Sequence, residues 1–85
     1  ATQGPEKARR LARTVLSDID LYDPDKVLES IRNEKFEAVF GEELREGLKH
    51  YQSRIPKEVR AQGNFFQESL DAFIAKKKEI LGIKD

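Results

Sequence analysis

Apolar residues recur along this chain at intervals of three and four. Near the N-terminus the series is Ala8, Leu11, Ala12, Val15, Leu16, Ile19 and Tyr22. That spacing returns side chains to one face of a helix, and the face predicts burial. Gly4 and Pro5 open this first helix, since proline costs nothing where the backbone N–H has no helical partner. The helix is expected over about 5–22, with Arg9, Arg10 and Arg13 turned away from the apolar stripe.

Asp23-Pro24 sets the next boundary. Pro24 disfavours a helical conformation at Asp23, and Asp23 can cap a new helix whose first residue is Pro24. A short helix over about 24–32 then presents Val27, Leu28 and Ile31, and Asn33 ends it. Phe36, Phe40, Leu44, Leu48, Tyr51 and Ile55 form a further stripe, interrupted by Gly41 and Gly47. Glycine costs about 1 kcal/mol against alanine inside a helix. Gly41 precedes two acids suited to a helix start, which predicts a short turn at 34–39 and a helix over about 42–54. Gly47 reads instead as a point of close approach between two helices.

Ile55-Pro56 closes that helix, and residues 56–60 can make one more turn before Gln62-Gly63 breaks it. Asn64 is placed to cap the last helix, with Gln67 three residues on as in a capping box. This helix is expected over about 64–81, burying Phe65, Phe66, Leu70, Phe73, Ile74 and Ile80. Phe65 and Phe66 are adjacent and cannot both face one core direction, so one of them is expected to pack as a staple at the helix start; the alternative is an exposed Phe that anchors a partner. Lys76, Lys77 and Lys78 suit the negative end of the helix dipole, and Gly82 supplies the stop. Ile83-Lys84-Asp85 is expected to fray. The fold class is therefore all-α: three main helices (about 5–22, 42–54 and 64–81) with one or two short ones (24–32 and 34–39). Neighbouring helices on short linkers should pack antiparallel or crossed.

Composition narrows the setting. Eighty-five residues make one domain, spanning 1–85. Cysteine is absent, which removes disulfides and thiolate metal sites and favours a reducing, cytoplasmic home. The longest apolar runs fall far short of the roughly twenty residues of a membrane span, and no signal-peptide pattern is visible. Sixteen basic and sixteen acidic residues cancel, an argument against nucleic-acid binding as a global property. The chain also lacks Met and begins at Ala1. We expect it to be excised from a longer protein.

One order of residues carries a resemblance. Ala8-Arg9-Arg10-Leu11-Ala12-Arg13 is followed by Ser17-Asp18-Ile19, Tyr22-Asp23 and Lys26-Val27. Tyr51, Arg54-Ile55-Pro56 and Asn64-Phe65-Phe66 with Glu68 and Leu70 come later. This order resembles a helical domain found at the C-terminus of multidomain bacterial proteins, chiefly of delta-proteobacteria and acidobacteria. In some of these it follows a zinc-ribbon or a signalling module. The resemblance implies an accessory domain of a regulatory protein. It implies no activity, and a zinc-ribbon is not part of this cysteine-free chain.

Candidate chemistry is sparse. Arg9, Arg10 and Arg13 are the foremost candidates, because guanidinium forks bind carboxylate or phosphate in a bidentate manner. Against that stands local pairing, Glu6 with Arg9 or Arg10, or Arg13 with an acid from another helix. Asp18, Asp20, Asp23, Asp25 and Glu29 form an acidic stretch, but a calcium loop needs fixed ligand positions and a turn glycine, and neither is present. Ser17, Asp18 and His50 contain the residue types of a catalytic triad, yet Ser17 lies mid-helix, without the strained turn or oxyanion loop that chemistry uses. A lone histidine is also a poor basis for a zinc site. Phe36, Phe40, Phe65, Phe66 and Phe73 read mainly as core. No nucleotide loop or other cofactor signature is found.

The sequence therefore predicts a non-catalytic module for protein–protein interaction or regulation, acting on another protein, another domain of the parent chain, or a second copy. Arg9, Arg10 and Arg13 would lead the contact. The rival is nucleic-acid binding by the same arginines with Lys76, Lys77 and Lys78.

Overall fold

The computed structural model describes residues 3–83, with Gln3 described by its backbone alone. All regular structure among them is helical: α1 (Gln3–Tyr22), α2 (Pro24–Arg32), α3 (Phe36–Val39), α4 (Gly41–Arg54), α5 (Lys57–Arg60) and α6 (Phe65–Leu81). The predicted elements all form, with ends displaced by one or two residues. Helix α1 begins before Pro5, which still falls in the first turn, where its missing N–H is not needed.

Local chemistry explains most boundaries. Asp23 caps α2, its carboxylate accepting from the Lys26 N–H at 3.2 Å, and Pro24 takes the first helical position. Helix α2 ends with the Lys35 N–H on the Ser30 carbonyl and the Glu34 N–H on the Ile31 carbonyl. This paired closure requires a left-handed residue, supplied here by Glu34 at φ 58°. Helix α6 closes in the same way through Gly82 at φ 73°, with the Ile83 N–H on the Lys78 carbonyl. Ile83 is thus tied into the cap rather than frayed; Lys84 and Asp85 lie outside the described residues. The expected Asn64–Gln67 capping box does not form. Gln67 instead reaches forward one turn and donates to the Asp71 carboxylate at 2.9 Å, a stronger acceptor than a neutral group.

Helix α1 is the spine. Arg9 meets Glu68 and Asp20 meets Lys77, so α1 and α6 rise together and are parallel. Helix α4 runs the other way: Tyr51 and Ile55 cluster with Ala8 and Ala12, while Glu42 and Glu43 sit beside Asp18 and Ile19. Between those points Gly47 backs onto Val15 so closely that a Cβ would collide with the valine methyl. The close approach predicted at Gly47 is therefore present.

The core has two parts that meet at Val15. One holds Ala8, Ala12, Tyr51, Ile55, Phe65 and Phe66. The other holds Leu16, Ile19, Val27, Ile31, Phe36, Phe40 and Leu70, with Phe73, Ile74 and Leu81 against it. Both Phe65 and Phe66 are buried, as the stripe of the last helix predicts, and neither is the exposed anchor of the alternative. Their directions differ by about 100°, and each has its own cleft: Phe65 lies under the Arg9 guanidinium at 5.0 Å, and Phe66 lies beside Tyr51 at 5.5 Å.

Three stripe positions depart from expectation. Tyr22 is 85% exposed and Ile80 63%, and Leu48 is only partly covered. A run of four-residue steps gains about 40° each time. In α4 the inward direction passes from Leu44 to Gly47 and Tyr51, leaving Leu48 aside. In α6 it passes from Ile74 to Leu81 and leaves Ile80 outside. Tyr22 is the last residue of α1, where the chain turns away. Among the described residues, no helix is long and apolar enough to cross a membrane.

Candidate functional site

The parallel packing of α1 and α6 leaves a groove of about 430 Å³ between them. Its lip on α1 carries Arg9, Arg13 and Ser17, spaced by one helical turn; its lip on α6 carries Ala72, Phe73 and Lys76. Leu16 and Phe73, both packed against the core, contribute an apolar floor. Leu21 is one turn beyond Ser17 and Ile80 one turn beyond Lys76, and neither lines the groove itself. Leu21 is 78% exposed. Cations stand along the whole groove, Arg9 and Arg13 on α1 and Lys76 and Lys77 on α6.

Its charges are unevenly committed. Lys77 donates to the Asp20 carboxylate at 2.8 Å, with both side chains largely covered. The Lys77 ammonium also lies 5.4 Å from the Phe73 ring centre. The other carboxylate oxygen of Asp20, Oδ1, is buried without a hydrogen-bond partner. Arg9 pairs with Glu68 at 3.5 Å, in the open, while stacking on Phe65. Both acids of the groove are therefore engaged. Arg13 and Lys76 are exposed and have no acidic partner among the described residues. The pairing of Glu6 with Arg9 is not formed, because Arg9 reaches across to α6 instead.

The three arginines are not one surface. Arg10 is about 100° round the helix from Arg9 and lines a separate groove with Lys7, Glu6 and Arg54. The lysine run divides likewise. Lys76 and Lys77 face α1, whereas Lys78 lines a groove with residues of α2 and α3.

On the other flank of α1, a groove of about 540 Å³ is lined by Asp18, Glu42, Glu43, Glu46 and His50, over Val15, Ile19 and Gly47. Asp18 and His50 share this groove, while Ser17 opens onto the basic one; the residue types of a triad are divided between two faces. The acidic stretch is dispersed in the same way. Asp20 holds Lys77, Asp23 caps α2, and Asp25 and Glu29 lie on the outer face of α2. Among the described residues, no group of three or more histidines, aspartates or glutamates is placed to hold a metal ion.

Away from the grooves, Tyr51 is buried with its hydroxyl unpartnered. Burial raises its pKa above the ordinary 10.0, opposed by the nearby Arg60 guanidinium. The basic groove was partly legible in the sequence, through the Arg9–Arg13 spacing. The Phe73, Lys76 and Lys77 side of it is not signalled by any spacing to those arginines. Only the parallel pairing of α1 with α6 brings them together, and no local pattern encodes that pairing. No family model matches the chain, and no curated protein or solved structure matches it either.

Proposed function

We propose that this chain is a non-catalytic docking module, working in the cytoplasm as an accessory domain of a longer bacterial regulatory protein. Its α1–α6 groove takes an acidic, amphipathic segment of a protein partner. The observation that carries this reading is one juxtaposition: uncommitted Arg13 and Lys76 stand over an apolar floor of Leu16 and Phe73, with exposed Leu21 and Ile80 one helical turn beyond the groove. An amphipathic helix laid in a groove is recognised by that combination of apolar anchors and rim charges. The resemblance of the Ala8–Tyr22 segment supports the accessory role.

The convergence of Arg9, Arg13, Lys76 and Lys77 favours a second reading, contact with a nucleic-acid backbone. Two features weigh against it: Arg9 and Lys77 already hold acids, and Lys78 faces elsewhere.

Fluorescence anisotropy separates the two. The probes are a labelled helical peptide alternating glutamate and leucine faces, a DNA duplex and a single strand, each at low and high salt. The docking reading expects the peptide to bind, and the variant R13E/K76E to lose about tenfold or more in affinity with unchanged far-UV circular dichroism. Peptide binding indifferent to this variant would overturn it. Tighter binding of duplex, falling steeply with salt, would establish the rival.

A further inference from the structure

We infer that the acidic segment received by the α1–α6 groove is supplied by a second copy of this chain, through the Glu42, Glu43 and Glu46 ridge of α4. The inference rests on the docking reading above and names its occupant.

Charge complementarity within a neutral molecule points to this occupant. The chain has equal numbers of basic and acidic residues, but they are sorted around α1. The α6 flank has Arg13 and Lys76 without acidic partners; the α4 flank has Asp18, Glu42, Glu43 and Glu46 on one groove with only His50 opposing them. None of these four acids holds an ion pair among the described residues. Each groove has apolar residues beneath its charges, Leu16 and Phe73 on one side, Val15 and Ile19 on the other. The two faces lie on opposite sides of one helix, so they cannot meet within a single chain. They can meet between copies. Two surfaces of opposite sign, each over apolar ground, attract at range and then exclude water at contact.

The contact pairs different patches of the two copies and is therefore heterologous. It leaves one basic and one acidic face free on every dimer, so assembly proceeds by addition rather than stopping at two.

Sedimentation velocity on the intact chain over a concentration series tests this. The wild type is expected to associate at about 50 mM salt and to lose about tenfold or more of that affinity at about 500 mM, where screening shortens the reach of charge. R13E/K76E and E42K/E46K, each checked by circular dichroism, should both remain monomeric. Mixing them should restore association, because each then offers the complement of the other. R13Q/K76Q provides a milder version and should weaken association without reversing the charge. The labelled acidic peptide should dissolve the assembly by competing for the groove.

A wild type that stays monomeric at low salt, or a mixture that fails to associate, overturns the inference. Peptide capture by the same samples tells the two readings apart. If capture persists and depends on Arg13 and Lys76, the docking reading stands and the occupant is a different protein. If capture also fails, both fall.

Discussion

The two flanks of α1 are made of the same materials and differ in sign. On one side α6 brings Lys76 and Lys77 to Arg9 and Arg13; on the other α4 brings Glu42, Glu43 and Glu46 to Asp18. The difference follows from direction. Helix α4 is antiparallel to α1 and α6 is parallel, so the start of α4 and the end of α6 both lie beside the second half of α1. Acids favour a helix start and cations a helix end. Residues placed to suit two helix dipoles thereby create opposite fields on two sides of the third helix. The sorting of sign is thus a product of topology.

The flanks also differ in what holds them. The acidic side is fixed by backbone proximity at Gly47, and Gly47→Ala tests this with the largest effect. Alanine gains about 1 kcal/mol of helix propensity, but its Cβ meets Val15. The net expected from urea unfolding is a loss of about 1–3 kcal/mol, as for other overpacked sites. Combining it with Val15→Ala should recover part of the loss. A more stable Gly47→Ala would show that the helices are free to separate.

The basic side is packed through the core residues of α6 and is bridged by two ion pairs as well, which should be unequal. Lys77→Met removes a short, largely covered bond and strands the Asp20 carboxylate; a loss of about 1–2 kcal/mol is expected in thermal or urea unfolding. Glu68→Gln touches a longer pair in open solvent and should cost no more than about 0.5 kcal/mol. Equal costs would remove the distinction between a structural and an available cation on this face.

How much of this was readable from the residues alone differs by level. Asp23-Pro24, Gly82 and the apolar stripes encode helix limits locally, and those limits are where the structure places them, within a residue or two. Gly47 announced a close approach, though not its partner Val15. The groove was less legible. Arg9 and Arg13 are visible as a pair in sequence, but Phe73 and Lys76 lie some sixty residues away, and their relation to α1 depends on packing rather than period. Leu48 and Ile80 fall on stripes that predict burial, but a count of three or four does not track the slow drift of phase along a helix. Phe65 and Phe66 both find cover because residues of α1 and α4, which no local pattern brings there, meet the start of α6.

The smallest expected effect concerns Tyr51, one turn from Gly47 on α4. Its hydroxyl is buried and unpartnered, so Tyr51→Phe should change stability by less than about 0.5 kcal/mol at neutral pH or raise it slightly. The pH dependence has a definite sign. Because the folded pKa lies above the ordinary 10.0, the tyrosine contribution is complete below that value. It is lost as pH rises, since the unfolded chain releases the proton first. The wild type should therefore lose more stability than Tyr51→Phe on going from neutral to strongly alkaline solution. Parallel decline of the two would place the hydroxyl in contact with solvent.

The most direct test of the docking account is an amide chemical-shift map of the isotopically labelled chain titrated with the acidic amphipathic peptide. Docking in the groove predicts the largest shifts at Arg9, Arg13, Ser17, Phe73 and Lys76, with the α4 acids from Glu42 to Glu46 changing only as far as the peptide releases copies associated through them. Shifts centred on the acidic flank, or none at peptide concentrations well above that of the protein, would contradict it.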